Sequence, residues 1–466
     1  MARDRIRSLS EPDLEVQLEW IARSLSESAT SRFHVATPRV AGQPTSEDAA
    51  AARHLALATW IGEEFLDRAS VEGDALTWNL LTPGQTVGEV ERHVLYGGTL
   101  GPALFLAALA QVTGEPRWAS AARRAALPVS RFADDVRHGG SLAGNPIGIG
   151  VGVGSIAYGL RWLAALLDDE AFVDRAVRVA ASLDRAAIAA DRDLDIIGGS
   201  AGAILALLSL QETLGDRVLD QAILCGDHLL ATQVHTHWGS NWPSRDARLL
   251  AGFAHGAAGI AYALVRLYEA TGTRKYLDAA LRGHRYERAI YSAAHRNWPL
   301  VRSAGHLPGN VAVVMTAWCH GAPGIGLARS LVRDTIVHED PEVAEEIDIA
   351  LATTAALPGN PGDHVCCGNM GRCDVLFTAG RRLGRQESID AATTLATAVE
   401  DQALARGYFQ FVSYGSEYIV FEPGFFQGLS GIGYQLLRLA APSRLPSVLA
   451  FESRVAVGSE NVEVRS

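Results

Sequence analysis

The feature that most constrains this chain is a short glycine turn, roughly G-x-x-G, followed by an apolar run and repeated seven times. The turns are GTLG ending at Gly101, VGVG ending at Gly154, GSAG ending at Gly202, GAAG ending at Gly259, GAPG ending at Gly324, GNMG ending at Gly371 and GLSG ending at Gly431. The second copy lacks the first glycine in register. Successive copies lie 53, 48, 57, 65, 47 and 60 residues apart, which is about the length of two helices and their loops. Each repeat is therefore predicted to be a helical hairpin.

The run after each turn, such as IAYALVRLYEA from Ile260 or IGYQLLRLA from Ile432, is apolar on nearly all sides, as a buried inner helix must be. Between these runs lie helices with one polar face, such as KYLDAALRGHRYERAI from Lys275 and EEIDIALATTAA from Glu345, whose apolar positions recur at three and four. These are predicted to form an outer layer. The expected fold is all-α: an α/α toroid of seven helical-hairpin repeats, closed because neither terminal repeat has a polar capping inner helix. Three segments follow. Residues 1–85, with the helical patterns DLEVQLEWIARSL and HLALATWIGEEFLDRA, form an N-terminal extension packed on the barrel; residues 86–452 form the toroid; residues 453–466 are a frayed tail.

Acidic residues number 52 against 41 basic, a formal charge of -11, so the overall field disfavours nucleic acid and offers no polybasic membrane signal. The charged N-terminus is unlike a signal peptide, and no run of about 18 apolar residues appears, so membrane insertion is not expected and the cytoplasm is the expected compartment. Five cysteines in a reducing compartment then read as metal ligands, reactive thiols or core residues rather than a disulfide framework.

Equivalent positions of a toroid converge at one end, so the residues preceding each first glycine should ring a common opening. That row reads Gly97, Gly150, Gly198, His255, His320, Cys367 and Gln427, with Cys319 beside His320 and Cys366 beside Cys367. Catalytic zinc typically takes three protein ligands and keeps a fourth position open. Cys319, Cys366 and Cys367 are the candidate set. Cys225 and Cys373 fall within helical patterns and are expected in the core. His255, in FAHGAAGI, is the candidate catalytic imidazole, and Asp195, four residues before the first glycine of the third repeat, is either a turn acid or its catalytic partner. His320 either binds zinc or, the favoured reading, orients a neighbour from behind the ligands; His364 carries the same two options but is expected on a loop surface; and Trp318 is expected to line the pocket or pack in the core.

With these residues the chain resembles the lanthionine synthetase C-like family, and specifically the cyclase portion of the class II, LanM-type enzymes. The resemblance is carried by DIIGGSAGAILAL, GFAHGAAGIAYAL, WCHGAPGIGLAR, CCGNMGR and GLSGIGYQLLRL, with LYGGTLGPALFLAAL and the N-terminal SLSEPDLEVQLEWIARSL extending it over nearly the whole chain. It implies one catalytic zinc, with Cys319 and Cys366 at the family's first two ligand positions and Cys367 where most members have His, as in a three-thiolate subset of LanM enzymes. It places His255 at the family's active-site His and Asp195 at the Asp of its D-x-x-x-G turn. Met315 stands where single-zinc cyclases often carry Arg, so no Arg role transfers.

The activity so implied is addition of peptide Cys thiols to dehydroalanine or dehydrobutyrine, forming (methyl)lanthionine rings. A dehydrated precursor peptide is the expected partner, with a separate dehydratase or transporter as further ones. Nothing in the sequence resembles the LanM dehydratase domain, which leaves a free-standing cyclase or a fragment of a longer enzyme. The rival readings are a non-catalytic zinc-stabilised scaffold that binds a peptide or a partner dehydratase, and an enzyme adding glutathione to dehydrated residues. Glycosidase toroids need paired carboxylates at the mouth, where this row carries thiol and imidazole.

Overall fold

The computed structural model describes residues 33–40, 46–78, 88–136, 142, 144–211, 215–300, 313–356, 359–411 and 421–453. The N-terminal pattern DLEVQLEWIARSL and the tail from 454 onward lie outside the described residues. Within them the helices run, in chain order, α1 (Glu47–Asp67), α2 (Leu100–Thr113), α3 (Pro116–Ala125), α4 (Leu127–Val136), α5 (Val153–Leu167), α6 (Glu170–Ala181), α7 (Arg185–Ala190) and α8 (Ser200–Ser209). They continue with α9 (Asp216–Thr232), α10 (Ala257–Thr271), α11 (Arg274–Ile290), α12 (Ala322–Ile336), α13 (Val343–Ala355), α14 (Asn369–Leu383), α15 (Gln386–Arg406) and α16 (Leu429–Ala440). Among the described residues, three antiparallel strand pairs occur: Ser70–Glu72 with Ala75–Thr77, Val234–Thr236 with Gly239–Asn241, and Pro299–Leu300 with Val313–Val314.

The seven inner helices are α2, α5, α8, α10, α12, α14 and α16. Each packs on the next, and α16 packs back on α2, so the inner layer is a closed ring. Burial explains their composition: Leu100 through Ala110 are all buried, which leaves no face for a charged side chain. The outer helices bury one stripe only. In α11 the buried residues are Tyr276, Leu277, Ala279, Ala280, Gly283, His284, Tyr286 and Glu287, a spacing of three and four. The seventh outer position is filled by α1, which packs on α16 and so completes the last repeat from the start of the chain. Arg53 and His54 of α1 reach the fully buried Glu400 of α15, fastening that closure with charge.

The glycine turns have a steric cause. A Cβ at Gly202, Gly259, Gly324, Gly371 or Gly431 would stand 2.0, 1.9, 2.0, 1.9 or 2.0 Å from the carbonyl oxygen six residues earlier. Each turn folds back so tightly on its own helix start that only hydrogen fits. Replacing a helical glycine with alanine ordinarily stabilises by about 1 kcal/mol, but overpacking of this kind costs about 1–3 kcal/mol or more. Gly259→Ala is therefore expected to lower the unfolding midpoint in a denaturant titration; an unchanged or raised midpoint would contradict the steric account.

In the second repeat the register differs by one from the sequence alignment. Gly152, not Val151, takes the extended N-cap conformation, and Ser155 occupies the place of the second glycine. A serine is accommodated there because its Oγ accepts a hydrogen bond from the Leu95 N–H at 2.7 Å.

The centre of the ring is filled by the chain's own end. Leu445, Val448, Leu449, Ala450 and Phe451 are each at most 3% exposed. Their backbone carbonyls and that of the adjoining Glu452 accept from side chains of several repeats: Tyr158 and Trp162 donate to Glu452 O at 3.1 and 3.2 Å, Tyr262 to Ala450 O at 3.0 Å and Trp318 to Leu449 O at 3.0 Å. Phe451 packs among Tyr158, Phe253, Trp318 and Phe426. An irregular segment can be buried only where its polar backbone is paired, and the inward-facing Tyr and Trp side chains supply that pairing. Trp318 is thereby a core residue. Cys225 and Cys373 are likewise fully buried in helices.

Candidate metal centre

The glycine turns lie side by side at one end of the ring, stitched by backbone hydrogen bonds. Tyr96 N donates to Gly150 O, Gly150 N to Ile197 O, Ala254 N to Cys319 O, Cys366 N to Phe426 O, and Phe425 and Phe426 N both to Tyr96 O. This rim fixes which side chains meet. The residues two places before the N-terminal glycines are Tyr96, Gly150, Ile197, Ala254, Cys319, Cys366 and Phe426, and several of them face one another across the opening.

Three sulfurs converge. The Sγ atoms of Cys319, Cys366 and Cys367 lie within 4.8 Å of one another, with Cys319–Cys367 at 3.3 Å and Cys366–Cys367 at 3.4 Å. A tetrahedral zinc at ~2.3 Å from each sulfur requires S···S separations of about 3.8 Å, so the cluster fits such an ion with sub-ångström adjustment. Cys319 precedes the N-terminus of α12, and Cys366 and Cys367 that of α14, where the helix dipole favours thiolate. Contacts with the Cys319 and Cys366 sulfurs pull the Cys367 thiol down to about 3, while contacts with Cys366 and Cys367, followed by burial, push Cys319 well up.

Beside the sulfurs stands an imidazole with a carboxylate behind it. His255 Nδ1 lies 2.7 Å from Asp195 Oδ2, and the other Asp195 oxygen accepts from Gly198 N at 2.8 Å. Asp195 thus caps its own turn and hydrogen-bonds His255 with the same carboxylate. Burial lowers the basicity of His255, but the hydrogen bond and charge of Asp195 outweigh it and the net shift is upward. The ring is 42% exposed, open toward the mouth. Its turn is held from below by Glu287, fully buried on α11, whose Oε1 accepts from Gly252 N at 3.0 Å and Ala258 N at 3.1 Å. Arg329, also fully buried, lies 3.3 Å from Glu287 and 2.8 Å from Glu346.

His320 has its Nδ1 3.1 Å from Ala251 O and its ring 5.7 Å from that of His255. It lines the opening next to His255. His364 departs from the expected loop surface: it is 4% exposed, and its Nδ1 accepts from Cys367 N at 3.3 Å. A polar residue in a Gly-Asp-His run reads as solvated, yet the tight turn needs an internal acceptor for the N–H of Cys367. Asn360 braces the same turn, donating to Cys367 O at 2.7 Å and Thr316 O at 2.9 Å. Tyr96 escaped sequence reasoning altogether, and its hydroxyl donates to Cys366 Sγ at 3.4 Å. The signal was there: Tyr96 shares its register with Cys319 and Cys366. Glu287 had none, since its role depends on how an outer helix packs back against the turn that opens its own repeat.

Among solved structures, nisin cyclase is similar in fold, at 18% identity over 78% of this chain and 92% of that one with a TM-score of 0.57. A sugar epimerase from a ruminal bacterium is matched at 11% identity over 85% of this chain and 99% of that one, with a TM-score of 0.44. No helix among the described residues is long and apolar enough to cross a membrane. A model of the family described as lanthionine synthetase C-like protein matches residues 89–450, from the first mouth turn to the central plug. A match over that span, on a closed toroid with thiols and imidazole at its mouth, means that this chain belongs to the lanthionine synthetase C-like family.

Proposed function

We propose that the protein is a zinc-dependent lanthipeptide cyclase of the class II, LanM type, acting in the cytoplasm on a dehydrated precursor peptide. The observation that carries this reading is the convergence of three sulfurs beside an Asp-supported imidazole at the mouth of the ring. In this reading Cys319, Cys366 and Cys367 hold one Zn²⁺, and the toroid, with α1 as its seventh outer helix, forms the cyclase unit. Zinc, when bound, supplies a deprotonated peptide sulfur at neutral pH.

The chain's own residues then handle geometry and protons. The peptide sulfur forms a bond to the β-carbon of dehydroalanine or dehydrobutyrine, and the alkene pair moves to the α-carbon and its carbonyl as an enolate. His255 in its protonated form donates to the α-carbon and is reprotonated from solvent, balancing the proton lost by the thiol. Asp195 holds the Nδ1 side of the ring, so Nε2 is the nitrogen that delivers the proton. His320 and Asp195 confine the imidazole laterally. With the ion bound, the three protein thiolates, the peptide thiolate and Zn²⁺ would together carry a net formal charge of -2, which would leave the sulfurs electron-rich.

The test is conversion of a dehydrated Cys-containing peptide, followed by loss of free thiol with unchanged peptide mass. Thiol loss that depends on stoichiometric zinc supports the reading; a metal-loaded folded protein that leaves every thiol free would sink it. The pH profile has a definite sign. Asp195 raises the basicity of His255, so activity requiring the protonated ring falls as pH rises through that raised value. In Asp195→Asn the alkaline limb of kcat/KM is expected to move to lower pH. An alkaline limb that stays in place would detach Asp195 from His255 in the reaction.

A further inference from the structure

We propose that Tyr96 is a positioning residue of the metal centre, its phenol hydrogen-bonding the Cys366 sulfur so that this thiolate is held in place and made less reactive than the incoming peptide sulfur. The inference rests on the metal-binding reading above.

The geometry is specific. Tyr96 Oη lies 3.4 Å from Cys366 Sγ, with the phenol O–H as the donor. The ring cannot swing away, because it stacks on Phe426 with centroids 5.0 Å apart and planes at 6°. The backbone is equally fixed: Tyr96 N donates to Gly150 O at 3.3 Å, and Tyr96 O accepts from Phe425 N and Phe426 N, both at 3.1 Å. The first, second and seventh repeats thus cooperate to aim one hydroxyl at a sulfur of the sixth. Tyr96 also occupies the position, two before the helix glycine, that Cys319 and Cys366 occupy in their own repeats. A first repeat that supplies no ligand supplies a donor to one.

The chemical need is selectivity among sulfurs. Three protein thiolates would sit on the same ion as the substrate thiolate, and an electrophilic dehydrated residue can in principle be attacked by any of them. A hydrogen bond draws electron density from the sulfur that receives it and makes it the poorer nucleophile. Cys366 is also buried, 4% exposed, so the phenol supplies part of the solvation that water cannot.

The experiment uses the full chain, parent and Tyr96→Phe, each loaded with zinc and separately with cobalt(II). Phe keeps the ring and its stack on Phe426 and removes only the hydroxyl. Zinc affinity, read by competition with a chromogenic chelator, is expected to weaken about tenfold, the lower end of the range for partners behind a metal ligand. The sulfur-to-cobalt charge-transfer band is expected to move to lower energy, and alkylation of Cys366 by iodoacetamide, mapped by mass spectrometry, to accelerate. Phe426→Leu, which disturbs the stack but keeps the hydroxyl, is the packing control. Unchanged affinity, band and alkylation in Tyr96→Phe would overturn the proposal while leaving the metal reading intact, as would a band shift seen only in Phe426→Leu. A parent that binds neither metal would overturn the metal reading itself.

Discussion

Cys367→Ala is expected to strip the protein of zinc: a parent carrying one ion per chain by elemental analysis, and a variant carrying almost none after dialysis against a mild chelator. Cys367 lies between the other two sulfurs, 3.3 Å from Cys319 and 3.4 Å from Cys366. Its loss leaves two thiols, one ligand short of the three protein ligands of a catalytic zinc site. The drop in affinity should exceed the ~10–100-fold that removal of a partner behind a ligand costs. The fold should survive, because Cys367 is only partly buried and precedes the helix rather than packing within it. Full zinc retention in the variant would refute the three-thiolate site and leave His320 or His364 as the substitute ligand. His364 is the harder substitute, since its Nδ1 already accepts from Cys367 N.

His255→Asn is expected to slow cyclisation by about 10²–10⁴, the usual contribution of a positioned acid or base, with zinc content unchanged. Two features make the separation clean. His255 points to the opening and contacts Asp195, not the sulfur cluster, through its hydrogen bond. Its turn is held by Glu287 through Gly252 N and Ala258 N, so the substitution does not remove what fixes the backbone. Asn can still donate to Asp195 but cannot titrate. A wild-type rate in this variant would remove His255 from the reaction; simultaneous loss of zinc would make it part of the metal site instead.

Much of the architecture was legible because the repeat is enforced by hard contacts. A Cβ 1.9 Å from Phe253 O at Gly259 or from Val365 O at Gly371 is forbidden in any side chain, so the glycine recurs wherever the turn does. The same periodicity put His255, His320 and Cys367 at one end of the ring. It failed by one residue in the second repeat, where Ser155 substitutes a hydrogen bond for a glycine. It failed more seriously for α1, which reads as an extension but lies where the seventh outer helix belongs. The stripe on α1 says that one face is buried, not against which helix.

What the sequence determined by itself was local and periodic: seven buried helices, their polar outer companions, and a row of thiol and imidazole side chains in one register. Only the tertiary structure decided the long-range matters. It paired α1 with α16 across the whole chain, drew residues 445–452 into the centre of the ring, and brought Tyr96 onto Cys366, 270 positions away. The physical reason is closure. Ring closure brings the first and last repeats together at an angle and radius set by the summed packing of every helix pair, and no single segment's pattern encodes that sum.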